Sequence, residues 1–297
     1  MEKKVTGYKA CALCARRCGV NRSDGQLGFC SASDTVHVNR RELHMWEEPC
    51  ISGERGSGTV FFSSCSLGCA FCQNREISRS ECGKAYTPDE LAEAFISLEK
   101  KGAHNINLVT PTHYMPSIKE ALQIAKDRGL SLPVVYNTGS IDTPEALRAL
   151  SPLVDVYLAD FKYYKEDTAG KLCFYKGYPK AAKEAVAEMV RQRPQPKFKD
   201  GIMTEGVIVR ILLLPGHVAE AKLILKYLFE TYGDKIYVSL MSQYTPIENM
   251  TPPLDRRVTK EEYRQLVDYA ERLGVKQGFV QEHSSASKVY IPDFITE

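Results

Sequence analysis

Three things are scarce in this 297-residue chain, and each absence narrows the field. Long apolar runs are missing: none approaches the ~20 residues that a membrane helix needs, so no membrane span is expected. An excess of one charge is missing too. Lys and Arg number 39 against 37 Asp and Glu, a formal net charge of +2, which leaves no electrostatic case for nucleic acid or an anionic membrane. The third absence is a secretory leader. Met1-Glu2-Lys3-Lys4 leads to Cys11 with no apolar h-region, and a cytoplasmic location is the expectation. With 43% hydrophobic and 26% charged residues the chain has material for a sizeable core and an ordinary surface. At roughly 150 residues per domain, its length suits one large α/β domain plus a small appendage.

Cysteine is what the chain has in excess. Ten cysteines without a secretory signal argue for metal ligation or thiol chemistry before disulfides, because the cytosol is reducing. They cluster: Cys11, Cys14, Cys18 and Cys30 near the start, then Cys65, Cys69 and Cys72. Cys50, Cys82 and Cys173 stand alone and read as small buried hydrophobes.

From residue 59 onward, β-branched or apolar runs at 59–63, 105–109, 133–136, 154–158, 206–213 and 235–240 alternate with amphipathic helical segments. Thr87-Pro88-Asp89-Glu90 is a capping box with Pro at the first helical position, and Leu91, Phe95 and Leu98 share a face behind it. Thr143-Pro144-Glu145 opens another helix, and Thr259 with Glu262 opens the last long one. The basic, Pro-rich stretch 191–199 is expected to be an exposed loop or linker. Six βα units imply a parallel sheet with right-handed crossovers. Six is short of the eight of a closed barrel, so the expected fold is α/β, a partial (β/α)6 barrel over residues 59–297. Residues 1–58 lack this rhythm and are expected to form a small metal-stapled module. In such sheets ligands bind beyond the carboxyl ends of the strands, which directs attention to the residues just after each one.

After the first strand comes Ser64-Cys65-Ser66-Leu67-Gly68-Cys69-Ala70-Phe71-Cys72, a C-x3-C-x2-C spacing on a strand-end loop. Three thiolates on one short loop can hold three irons of a [4Fe–4S] cluster and leave the fourth open to a substrate or cofactor. The alternatives are a zinc site completed by a His, or a chance grouping. Cys11-x2-Cys14-x3-Cys18-x11-Cys30 supplies a complete set of four thiolates, which suits either a second [4Fe–4S] cluster or a structural zinc ion. Its spacing is tighter than a two-knuckle zinc ribbon, and it suits electron relay or simple stapling. Asp160 and Lys162, spaced i, i+2 at a strand end, point to the same side. Such a Lys can neutralise a carboxylate, and such an Asp can accept from an amine or ribose hydroxyl; the alternative is a surface ion pair worth about 0–1 kcal/mol. His113 invites a ligand or acid/base role beside a hydrogen-bonded structural one. Gln243 and Tyr244 could line the same cavity, whereas Arg210, early in its strand, reads as core packing.

Cys65-x3-Cys69-x-Phe71-Cys72 resembles the signature of radical S-adenosylmethionine (SAM) enzymes, in which the open iron is chelated by the methionyl amine and carboxylate of SAM. The resemblance spans about residues 56–250. Gly56-Ser57-Gly58-Thr59, Cys72-Gln73-Asn74, Asp160-Phe161-Lys162 and Arg210-Ile211-Leu212-Leu213-Leu214-Pro215-Gly216 are similar to the pyruvate formate-lyase activating-enzyme branch, and most of all to its PflX-like group. The resemblance implies an oxidoreductase of anaerobic metabolism that cleaves SAM reductively to a 5′-deoxyadenosyl radical and abstracts hydrogen from a substrate carbon. It implies a low-potential electron donor such as flavodoxin or ferredoxin, and a glycine of a partner glycyl-radical enzyme as substrate. A small molecule, another peptide or RNA is the alternative substrate, and an iron–sulfur electron-transfer or redox-sensing protein is the alternative class. The stretch Lys288-Val289-Tyr290-Ile291-Pro292-Asp293-Phe294 has no glycine, so the chain is not expected to carry the glycyl radical itself.

The resemblance also implies roles for single residues. Phe71 corresponds to the residue packed near the adenine, and Asp160 and Lys162 to a pair facing SAM and the substrate. The activating enzymes hold the methionyl amine with Gly-Gly-Glu after the second strand; here that place is taken by Thr110-Pro111-Thr112-His113, making Thr110, Thr112 and His113 the candidates. Where those enzymes have Asp-Thr-Asn-Gly, this chain has Tyr136-Asn137-Thr138-Gly139, so Asn137 and Thr138 would approach SAM without the acidic residue that attracts a cation.

Overall fold

A computed structural model describes residues 7–281; the first residues, where no leader is expected, and the stretch 288–294 lie outside the described residues. The strands are β1 (Val36–His44), β2 (Ser57–Phe62), β3 (Lys84–Tyr86), β4 (Ile106–Val109), β5 (Val134–Thr138), β6 (Val156–Asp160), β7 (Lys197–Lys199), β8 (Ile202–Leu212), β9 (Tyr237–Met241) and β10 (Gly278–Val280). The helices are α1 (Pro49–Ser52), α2 (Arg75–Ser78), α3 (Pro88–Lys100), α4 (Met115–Asp127), α5 (Pro144–Leu150), α6 (Glu166–Leu172), α7 (Tyr178–Gln192), α8 (Val218–Tyr232) and α9 (Lys260–Leu273).

The six expected strands all form, as β2, β4, β5, β6, β8 and β9, and neighbours in the chain are neighbours in the sheet. Every pairing from β2 to β10 along the order β2-β4-β5-β6-β8-β9-β10 is parallel. Among the described residues the sheet is open at both edges. Helix starts follow their sequence signals: Thr87 and Glu90 close a capping box on α3, Thr259 and Glu262 another on α9, and the Thr143 side chain accepts from the amide of Ala146 at the head of α5.

Strand alternation divides the side chains between two cores. On the helix-covered face Val60, Phe62, Ile106, Leu108, Val134 and Val209 pack with Leu91, Phe95, Ile118, Leu122 and Leu225. On the inner face Val135, Val156, Leu158 and Ile208 close over Cys50 and Ile51 of α1. The short α1 thus plugs the concave side. Its carbonyl at Ile51 accepts from the Asn105 side chain at 2.7 Å, and Asn105 in turn accepts from Ser57 at 2.6 Å.

Two segments differ from expectation. The 191–199 stretch is not all loop: β7 turns back on β8 in a hairpin through Asp200 and Gly201, both with positive φ (52° and 79°), as an Asp-Gly two-residue turn requires. Within residues 1–58, where no strand–helix rhythm was expected, nine residues form β1, antiparallel to β2 and to β3. No described helix is long and apolar enough to cross a membrane.

Candidate active site

The cysteine loop leaves β2 through Ser64, which takes a left-handed conformation (φ 71°) and donates its amide to the Ile77 carbonyl at 2.7 Å. Gly68 is also left-handed (φ 65°), and a Cβ there would lie 2.6 Å from the Arg79 guanidinium, so only glycine lets Arg79 close over the loop and hold the Gly68 carbonyl. Cys65, Cys69 and Cys72 then line a cavity of about 590 Å³ at the carboxyl ends of the parallel strands. Burial pushes the Cys69 thiol up to about 12, and burial together with the nearby Cys72 raises Cys65. Thiolates in such a pocket need a compensating cation. Donors already point at the sulfurs: the Leu67 amide at Cys65 Sγ (3.4 Å) and the Tyr163 hydroxyl at Cys69 Sγ (3.3 Å). Among the described residues no three His, Cys, Asp or Glu side chains converge tightly enough for a single metal ion. The donor set, its burial and its sulfur-directed donors fit a cluster, which spreads its thiolates over different irons.

Opposite the thiols lies a network of charges. Asp160, at the end of β6, accepts from Lys162 Nζ through Oδ2 (2.6 Å) and from Arg210 Nε through Oδ1 (2.6 Å). Arg210 also reaches Glu47 Oε2 (3.0 Å) and Asn137 Oδ1 (2.7 Å), while Asn107 and Asn137 donate to Glu47 Oε1 at 3.0 and 3.2 Å. Burial works against Asp160, Lys162 and Arg210 as ions, but their mutual attraction outweighs it. The Asp160 carboxyl is held below its ordinary range, and Lys162 and Arg210 are raised above theirs. Glu48 is the exception. Burial raises it, the neighbouring Glu47 adds to that rise, and one carboxyl oxygen has no hydrogen-bond partner. Glu47 and Glu48 belong to the turn into α1, fixed by the Ile51 and Ser52 amides on the Glu48 carbonyl and by the Ser52 hydroxyl beneath the Glu47 amide.

Of the residues singled out from sequence, Phe71, Thr110, Thr112, Asn137, Thr138, Asp160 and Lys162 line this cavity with the three cysteines, as do Gln243 and Tyr244. Phe71 is buried edge-on to Tyr163 and Tyr244. Thr110 is left-handed (φ 60°), a strained state for a β-branched residue, and its amide is fixed on the Asn137 carbonyl. Thr138 donates to Asp142 Oδ2 (2.5 Å), and Tyr136 to Asp142 Oδ1 (2.8 Å). His113 is not brought to the cavity wall. Its ring is buried behind Thr112, with Nε2 2.7 Å from the Ser63 carbonyl, and burial lowers it to about 3, so it is a neutral structural histidine. Arg210 is not core packing but the hub of the network. Glu47, Glu48 and Asp142 were missed by sequence reasoning.

The four N-terminal cysteines gather apart from the cavity. Cys11 and Cys30 are buried and Cys18 is exposed. Burial, with the neighbouring thiols of Cys11, Cys30 and Cys18, pushes Cys14 up to about 12.

This combination of an open parallel sheet with a three-thiol loop at its carboxyl edge defines a class. The Radical SAM superfamily model matches residues 59–228, and the chain belongs to that superfamily. An uncharacterized protein of Methanocaldococcus jannaschii, MJ0674, is 31% identical over 277 residues, covering 89% of this chain and 75% of its own. Among solved structures, a radical SAM methyltransferase from Sphaerobacter thermophilus superposes with a TM-score of 0.54 at 16% identity, over 76% of this chain and 66% of its own. SuiB of Streptococcus suis bound to S-adenosylmethionine superposes with a TM-score of 0.51 at 10% identity, over 73% of this chain. This chain spans about half (48%) of the length of SuiB. The superfamily implies a [4Fe–4S] cluster and SAM.

Proposed function

We propose that this radical SAM enzyme holds its cluster on Cys65, Cys69 and Cys72, binds SAM across the strand ends, and abstracts hydrogen from a carbon of a substrate that reaches in through the cavity mouth. The observation that carries the reading is the meeting of the three buried thiols with the Asp160–Lys162 pair and Phe71 in one cavity. Cluster and SAM together supply reductive cleavage to methionine and a 5′-deoxyadenosyl radical.

The protein's own residues orient the ligand. Lys162, kept cationic by Asp160, offers a charge to the methionyl carboxylate. Thr112, in the place where activating enzymes use Gly-Gly-Glu, offers its hydroxyl oxygen to the methionyl ammonium; it is held 3.4 Å from Thr138, whose own hydroxyl donates to Asp142 and accepts from the Ser140 amide. Phe71, with Tyr163 and Tyr244 behind it, forms an apolar wall for the adenine. The network around Arg210 ties Asp160, Glu47 and Asn137 together, so the floor stays fixed while the mouth, flanked by Trp46 and Val280, is left to the substrate.

Within the superfamily, the phrases Asp160-Phe161-Lys162 and 210–216 favour the PflX-like group and hence a glycine Cα of a partner polypeptide as the carbon attacked. The test is anaerobic: the reconstituted chain is given SAM and dithionite, and 5′-deoxyadenosine is measured. The expected result is product that disappears in Cys65→Ala. Product that persists in that variant would sink the assignment of the loop. Deuterium passing from a Cα-deuterated glycine of a partner into 5′-deoxyadenosine would support the substrate, and transfer only from a free metabolite would overturn it.

A further inference from the structure

The N-terminal thiols stand apart from the cavity, yet they are joined to its cysteine loop. Arg16, between Cys14 and Cys18, donates Nε to the Ser66 carbonyl (2.8 Å) and Nη2 to those of Leu67 (3.1 Å) and Cys173 (2.7 Å); its Nη1 reaches the Phe174 carbonyl (3.2 Å). The last residue of α6 and its link to α7 complete the splice. The Leu172 carbonyl accepts from the Ala70 amide inside the loop (2.7 Å), and the Tyr175 hydroxyl donates to the Ala15 carbonyl (2.9 Å). One side chain from the N-terminal cysteine segment thus clamps the carbonyls of Ser66 and Leu67, the two residues that follow Cys65. The contact that anchors the first residues also gives a redox centre there a short route to the loop.

The surface over this splice is apolar and basic. Leu27, Phe29 and Phe174 are 55%, 38% and 56% exposed. The Arg16 guanidinium lies 3.4 Å over the Phe29 ring, and that of Arg79 is about 6 Å from both Phe29 and Phe174. Exposed Lys171 and Lys176 flank Phe174 in sequence, Arg17 is paired with Glu145 (3.0 Å), and Cys18 is exposed. An apolar patch rimmed by cations complements an acidic surface.

We propose that Cys11, Cys14, Cys18 and Cys30 hold a [4Fe–4S] cluster through which electrons enter: an acidic one-electron carrier protein docks over Phe29 and Phe174, and its electron passes by this cluster and the Arg16 contact to the loop of Cys65, Cys69 and Cys72. One electron leaves the reduced carrier, the N-terminal cluster goes from the 2+ to the 1+ state, and it returns to 2+ as the loop cluster is reduced. No bond or proton changes place. The relay rests on the reading of the loop as a cluster site.

The full chain is loaded anaerobically, its iron and zinc are counted, and reduction of the loop cluster is followed by electron paramagnetic resonance with SAM present. Photoreduced flavodoxin serves as the acidic carrier and dithionite as the small reductant. The expected count is about eight irons and no zinc. Reduction by flavodoxin at low salt is expected to slow at least tenfold in Cys18→Ser and in the double variant Lys171→Glu/Lys176→Glu, the second keeping its dithionite rate. Four irons with one zinc, or flavodoxin rates unchanged in both variants, would overturn the relay. Dithionite failing to reduce a loop cluster in the unmodified chain would instead overturn the loop reading, and the relay with it.

Discussion

Arg210→Met is the sharpest probe of the cavity floor. The guanidinium binds Asp160 at 2.6 Å and Glu47 at 3.0 Å, with all three side chains at most 19% exposed, and it offsets the burial of Glu48. Removing one partner from a buried ion pair costs about 3–5 kcal/mol, because the other charge is left uncompensated. At about 2–4 °C per kcal/mol for chains of 150–250 residues, the melting temperature should fall by roughly 10 °C. The pH dependence gives the test its sign. Asp160 is depressed in the folded chain, so its stabilisation is present above its unfolded value of about 3.9 and is lost as pH falls through the folded one. In the variant Asp160 keeps only Lys162, and Glu48 loses the largest of the influences opposing its rise; both then take up protons more readily. The deficit should be largest near about pH 8 and shrink toward about pH 5. Adding Glu47→Gln should recover part of it. Melting followed by far-ultraviolet circular dichroism decides the matter: a loss under about 2 °C, equal at both pH values, would refute the argument that burial makes this network costly to break.

Two further outcomes follow from the same geometry. Lys162→Met removes the charge offered to the ligand carboxylate, and with a charged hydrogen bond worth about 1.5–3 kcal/mol, SAM affinity should fall tenfold or more; Trp46, the single tryptophan and exposed at the cavity mouth, reports it by fluorescence titration. Thr259→Ala breaks the capping box of α9 and should cost about 1 kcal/mol in urea unfolding, with 5′-deoxyadenosine formation unchanged.

The scaffold was legible because its signals are local. Thr87 and Glu90 lie within one turn, and a run such as 105–109 announces its strand by composition alone. The cysteine loop was legible for the same reason: spacing places Cys65, Cys69 and Cys72 together whatever surrounds them. The hairpin of β7 was also within reach, since Asp200-Gly201 is a strong turn signal that the Pro-rich, basic composition before it masked. His113 shows the limit of residue type as evidence. Its place after β4 was right for a ligand, but the 3-10 turn Thr112–Tyr114 aims its ring back at the Ser63 carbonyl, and no pattern in the sequence encodes that rotation.

The floor was hidden for a different reason. Glu47 and Arg210 meet across 163 residues, and Glu47 with Asn137 across 90, so neither pairing leaves a periodic trace. One signal did exist at Arg210. It sits between Ile208 and Leu212 on the inward face of β8, at the carboxyl end where ligands gather, and an arginine buried there demands acidic partners. Asp160, opposite it in register on β6, answers only one part of that demand. The remainder comes from Glu47 and Glu48, which reach the cavity because β1 pairs with β2 and the chain then turns through α1 into the concave face. The residues ahead of β2 therefore help fix the ligand-facing charge of Asp160 and Lys162. A change in how β1 meets β2 should be felt at the strand ends where SAM is proposed to bind.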